Sequence, residues 1–268
     1  MKKFLVLLSF FLSITIGLNA QKTIAVTTFV QGEVFYKIGT REQKVYKNQT
    51  FQENGIIITK KGKIDLQISS SNIIRLSENT SLFLKELSEN SDEQKIELVL
   101  NVGKLYANIT KKLKGNSSFK ISTPTAVAGV RGTEFLVNEE PKSKEKTAGD
   151  TDIPTGFFVK KGEVELKVES AKCKYEIFGL CLNFWRDETK VKPYVVKEGQ
   201  QVTLKKNKVT QGRLNLQIKQ NMEKELETMK LMDSRQFNCY KRRMCQSRVY
   251  VRYYWNGYCY YPVYYYRY

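Results

Sequence analysis

From Thr23 to about Leu204, hydrophobic and polar positions alternate along the chain. Lys63-Ile64-Asp65-Leu66-Gln67-Ile68 places an apolar residue at every second position, the period of a strand with one buried face. Ser81-Leu82-Phe83-Leu84 and Gly162-Glu163-Val164-Glu165-Leu166-Lys167-Val168 do the same. Asn54-Gly55, Lys61-Gly62 and Gly115-Asn116-Ser117 read as turns between such runs. Short strands separated by turns predict a mainly β fold, a sandwich or a β-roll. One local pattern recurs, glycine then a charge then an aliphatic residue, at Gly32-Glu33-Val34, Gly103-Lys104-Leu105 and Gly162-Glu163-Val164. The glycines are 71 and 59 residues apart, so they mark no fixed repeat. Each reads as a strand entered through a glycine turn, glycine being the residue that accepts positive φ.

Two stretches leave the β pattern. Residues 138–156 are polar with two prolines, which predicts a long exposed loop inserted between strands. Within 206–233, Leu214, Ile218, Met222, Leu226 and Met229 recur at helical spacing, an amphipathic helix whose stripe packs on its own domain. The tail 234–268 holds eleven tyrosines and seven lysines or arginines with no acid. Its Asn256-Gly257 pair predicts a tight hairpin between Val249–Trp255 and Tyr258–Val263.

The start of the chain is of another kind. Met1-Lys2-Lys3 is followed by an apolar run of 15 residues, Phe4 to Leu18, and by Ala20. That is the pattern of a secretory signal peptide, residues 1–20, cut before Gln21. The run falls short of the roughly 20 residues that a spanning helix needs. The chain then divides into a β domain at 21–205, the helix and the tail. Without Lys2 and Lys3 the net charge falls from +18 to +16. Such a field draws anionic partners. In an exported chain these are acidic proteins, anionic envelope polymers or lipid head groups rather than nucleic acid. Export also makes Cys173, Cys181, Cys239, Cys245 and Cys259 candidates for disulfides, with one left over from an odd number. Cys173 and Cys181 are close enough in sequence to close a small loop.

Catalytic chemistry is thin. With no histidine there is no serine or cysteine triad, and with no CxxC pair a metal site has no foundation. No cofactor is expected. Glu139-Glu140 and Glu223, Glu225 and Glu227 read as solvated charge. A glycosidase carboxylate pair drawn from distant strands is the enzyme alternative.

The most specific stretch runs from Thr123-Pro124 through Gly129-Val130-Arg131-Gly132-Thr133 to Val137. Gly129 and Gly132 bracket a tight bend. Arg131 is the one long charged side chain in a small apolar run, and reads as a buried structural arginine, the alternative being an exposed anion contact. With NVGKLYANI at 101–109, VKKGEVELKV at 159–168 and KEGQQV at 197–202, this stretch resembles the FecR-domain family over roughly residues 23–205. The resemblance implies an all-β periplasmic domain. In regulators of that family it further implies reception of a signal from a TonB-dependent outer-membrane receptor and control of a sigma factor. A chain that opens on a signal peptide departs from the regulator's layout, which disfavours direct sigma control. The resulting expectation is a non-enzymatic periplasmic or outer-envelope binding protein. Arg242, Arg243, Arg248, Arg252, Trp255 and Tyr258 of the tail are its candidate contacts, by basic charge and by rings suited to a wet interface. The alternative is a signalling component that binds the periplasmic signalling domain of such a receptor.

Overall fold

The computed structural model describes the backbone of residues 25–89, 93–109, 117–141, 153–168, 172–177, 180–185, 193–205, 208–244, 250–255 and 260–265. Side chains are described in these segments except at 172–185, at 239 and from 241 onward. The signal-peptide reading of residues 1–20 lies outside the described residues.

In chain order the strands begin β1 (Ala25–Ile38), β2 (Arg41–Lys44), β3 (Thr50–Phe51), β4 (Gly55–Ile68), β5 (Asn72–Leu76), β6 (Ser81–Glu89) and β7 (Gln94–Ile109). Next come β8 (Ser118–Ser122), β9 (Ala126–Val130), β10 (Glu134–Glu139), β11 (Gly156–Lys161) and β12 (Glu163–Val168). A hairpin of β13 (Lys172–Ile177) and β14 (Leu180–Trp185) precedes β15 (Tyr194–Lys197), β16 (Gln200–Lys205) and β17 (Lys208–Arg213). Helices α1 (Leu216–Glu227) and α2 (Ser234–Met244) and the hairpin β18 (Tyr250–Trp255) and β19 (Tyr260–Tyr265) complete the order.

The long strands are the key to the architecture. The first half of β1 pairs with the second half of β4, which pairs with β5, then the second half of β7, then β10, β11, β16 and β17. The second half of β1, with β2 at its side, pairs with the first half of β4. That half leads on to β6, the first half of β7, β8, β9, β12 and β15. One continuous sheet is therefore creased into two layers. Both layers supply one core: Ile64, Leu66, Leu105, Phe157 and Val202 from the first meet Leu82, Leu84, Leu98, Ile121 and Val164 from the second. This is a mainly β sandwich, as the alternation predicts.

The recurrent glycines mark the creases. Gly32 (φ +76) lies opposite Gly62 beside a register shift in β1, and Gly103 (φ +100) lies inside β7. At both points the strand does not begin; it bends from one layer into the other. Lys61-Gly62, read as a turn, is likewise a bend within unbroken β4. Gly162 (φ +85) joins β11 of the first layer to β12 of the second.

Both helices cover the outer face of the first layer. Ile218, Met222, Leu226 and Met229 pack with Ile73, Tyr106, Leu136 and Phe158, and Phe237 and Tyr240 pack with Val26. The Asn215 side chain caps α1 by accepting from the amides of Gln217 and Ile218. The helix is shorter than the 206–233 stretch assigned to it, because Lys208–Arg213 pairs with β16 as a strand. The tail opens with an unforeseen helix, α2, whose first turn is tied to Asp233: its Oδ1 accepts from the Arg235 amide at 2.7 Å. Residues 142–152 of the inserted loop lie outside the described residues, and the ends of the loop are less exposed than their polarity suggests. Asn138 and Glu139 finish β10 as buried residues, and Ile153 and Thr155 are buried as well. The Asn138 amide donates to the Ile153 carbonyl, and Ile153 joins the cluster beneath α1.

Candidate interaction site

The family-like stretch from Thr123 to Val137 spans β9, the turns at its two ends and the start of β10. Thr123 is buried, and its hydroxyl accepts from the amides of Thr125 (3.2 Å) and Ala126 (3.1 Å), so it shapes the turn around Pro124. The Thr125 hydroxyl donates to Glu139 Oε2 at 2.8 Å. Glu139, read from sequence as solvated, is thus a buried partner of the motif. Strand β9 carries Gly129 and Val130 into the second layer, and Gly132 (φ +64) turns the chain toward the first. The Thr133 hydroxyl donates to the Glu163 carbonyl at 2.8 Å, locking this bend to the one at Gly162. Arg131 contradicts its first reading: the side chain is exposed, because it sits on the outside of the bend.

The buried arginine is Arg75. Asp65 and Arg75 face each other across β4 and β5. They point away from the core, into the space beneath α1, with 1 % and 3 % of their surface exposed. Arg75 Nε donates to Asp65 Oδ1 at 2.6 Å and Nη2 to Oδ2 at 2.7 Å, a two-pronged pair. Nη1 donates to the Glu225 carbonyl at 2.9 Å, to Glu225 Oε2 at 2.8 Å and to the Thr228 hydroxyl. The Phe29 ring centroid lies 5.9 Å from the guanidinium carbon. Nearby, Gln67 Oε1 accepts from the Met232 amide at 2.7 Å. Glu225, assigned to solvent by sequence, is an anchor. Burial alone would pull the Arg75 guanidinium down, but the Asp65 and Glu225 carboxylates outweigh it and hold it above its ordinary value. The signal is present in Ile73-Ile74-Arg75-Leu76, a lone arginine in an apolar run. Arg131 is likewise a lone arginine in an apolar run, but its flanking glycines place it on an exposed bend.

Tyr106 completes this cluster, opposite Arg75 on β7. Its hydroxyl is pushed up to about 12, first by burial and then by Glu225, against the pull of Arg75. The fold therefore favours the neutral phenol. That contribution is whole below the ordinary value of 10.0 and is lost as pH rises through about 12. The difference corresponds to roughly 3 kcal/mol. Tyr106→Phe is expected to lose less stability than wild type between pH 9 and pH 12 in urea melts. Parallel losses in the two proteins would refute the assignment.

The tail candidates stand apart from this cluster. Arg242 and Arg243 fall in α2, and Arg252 and Trp255 in β18, as backbone positions without described side chains. Arg248, Tyr258, Cys245 and Cys259 lie outside the described residues. Trp255 pairs with Tyr260 rather than with Tyr258, and the turn expected at Asn256-Gly257 lies outside the described residues. Cys239 is in α2. In the β13–β14 hairpin Cys173 stands opposite Phe184 and Cys181 opposite Glu176. That offset is about 10 Å along the ladder, longer than a disulfide spans. Among the described residues no helix is long and apolar enough to cross a membrane.

Residues 55–165 match the sequence profile of the FecR protein family. The matched stretch runs from β4 into β12, so β1 on one side and β15 to β17 on the other complete a sandwich larger than the match. No curated protein sequence matches the chain. Two crystal structures of a candidate anti-sigma factor from Parabacteroides distasonis ATCC 8503 are similar. One is 11 % identical with a TM-score of 0.39, covering 76 % of this chain and 95 % of its own. The other is 12 % identical with a TM-score of 0.40, covering 77 % of this chain and 97 % of its own.

Proposed function

We propose, from the match of residues 55–165 to the FecR protein family, that the chain is a FecR-type signalling component of the bacterial envelope. It works by binding protein, its partner being the periplasmic signalling domain of a TonB-dependent receptor. The match to FecR over the central strands carries this reading. It displaces the broader expectation of an envelope binding protein whose basic tail holds an anionic polymer, because the match falls on the β domain and not on the tail. The buried charges support the same view. Asp65, Arg75 and Glu225 are consumed in holding α1 to the sheet, which leaves no acid–base pair open to a substrate there. Among the described residues the glycan-hydrolase alternative has no feature in its favour.

The test is calorimetry of the purified mature chain against purified receptor signalling domains from the same cell, with acidic polysaccharide in parallel. Saturable binding of one signalling domain at micromolar concentration is expected. Binding of the polysaccharide alone would overturn the proposal.

A further inference from the structure

Strand β17 ends the first layer, and its backbone is only half used. It pairs with β16 without a register shift, from Gln200↔Arg213 to Lys205↔Lys208. The Leu204 amide donates to Thr155 on the β11 side at 2.8 Å, and the Leu214 amide donates to the Gly199 carbonyl at 2.8 Å. In an antiparallel ladder, neighbouring residues point their amides to opposite sides. Lys208, Thr210 and Gly212 therefore bond to β16, while Val209, Gln211 and Arg213 present N–H and C=O groups on the far side. Among the described residues no strand pairs there, and β17 is exposed throughout except at half-buried Val209.

Other edges are less open. The Val195 carbonyl of β15 accepts from Gln211 Nε2 at 3.1 Å. Strand β2 is four residues long and mixes Arg41 with Glu42. The free run of β1 is broken by a register shift between Thr27 and Phe29. Strand β17 has neither bulge nor proline.

Its charge selects the occupant. Strands β16 and β17 carry Lys205, Lys208 and Arg213 and no acid. Cations on an edge keep like edges apart. Two copies meeting along β17 would bring together edges that each carry Lys208 and Arg213 and no acid, which disfavours a second copy of this chain. The same field attracts a strand bearing carboxylates. We propose that β17 is a strand-addition site for an extended acidic segment of a partner protein. This deepens the protein-binding reading and rests on it.

The probe is a fluorescent nine-residue peptide alternating glutamate with valine, titrated onto the full mature chain by anisotropy. The wild type is expected to bind it, more weakly as salt rises, and to ignore the lysine-for-glutamate version. Gln211→Pro removes one outward amide and leaves the β16 ladder intact, as prolines on edge strands do. At least a tenfold loss is expected. Gln211→Ala keeps the amide but lacks the contacts of the side chain, and is expected to bind as wild type does. Should Gln211→Pro misfold by circular dichroism, the doubly charge-reversed Lys208→Glu, Arg213→Glu protein serves. It should lose the acidic peptide tenfold and gain the basic one. Equal binding of both peptides by wild type, or an unchanged affinity in folded Gln211→Pro, overturns the site. A receptor signalling domain that binds Gln211→Pro undiminished overturns the site and leaves the signalling reading standing. Peptide binding without binding of any signalling domain keeps the site and removes that reading.

Discussion

Arg75→Ala is expected to lower stability by about 3–5 kcal/mol, the cost of stranding a buried charge by removing its partner. Asp65, at 1 % exposure, would keep its carboxylate without the two donors that now satisfy it. The Glu225 carbonyl and the Thr228 hydroxyl would lose the donor that ties the end of α1 to the sheet. A urea midpoint measures the loss, and cleavage near α1 by a protease should rise with it. Asp65→Leu combined with Arg75→Met removes both charges together and is expected to cost much less than Arg75→Ala. If Arg75→Ala loses under about 1 kcal/mol, the level of a surface pair, the anchor is not what holds the helix.

Gly103→Ala should rival it by a different cause. At φ +100 a side chain is strained, and the added Cβ would run into the Thr80 side chain and lie 2.5 Å from its Cα. Thr80 cannot yield cheaply, because its amide donates to the Thr59 hydroxyl at 2.8 Å and its own hydroxyl accepts from the Lys104 amide at 3.1 Å. Backbone strain of about 1–3 kcal/mol and overpacking of about 1–3 kcal/mol act together. Two controls separate them by thermal or urea unfolding. At Gly199 (φ +72) an added Cβ meets nothing within 4 Å, so Gly199→Ala isolates the strain. Gly212, with open space and no positive φ, should tolerate alanine nearly unchanged. A Gly103→Ala protein no weaker than Gly199→Ala would remove the steric half of the argument.

These positions also show what the sequence could disclose. The alternation of Ile64, Leu66 and Ile68 is real, and these side chains fill the core. Periodicity reports one buried face, however, and the opposite face of β4 is buried too, so Asp65 and Gln67 read as polar surface until α1 and α2 are laid over them. The recurrent glycines were legible as positive-φ sites but not as creases, since a bend and a turn need the same residue and differ only in where the chain goes next. Lys208–Arg213 is too short and polar for its pattern to separate it from the helix that follows, and only the ladder with β16 makes it a strand. The Thr123–Thr133 motif was found from its residues, while the role of Arg131 depended on which side of the bend faced solvent.

The anchor under α1 has a consequence for the order in which the molecule assembles. Asp65 and Arg75 are ten residues apart in the chain, and the β4–β5 hairpin brings them together early. Glu225 is 150 residues from Arg75, so the guanidinium keeps a hydrated face until nearly the whole chain is available. Covering the first layer is thus expected to be the closing event of folding, made on a sandwich already built. In reverse the helices are expected to lift while the two layers still hold, so that in native-state hydrogen exchange the amides of α1 and α2 open before those of the sandwich.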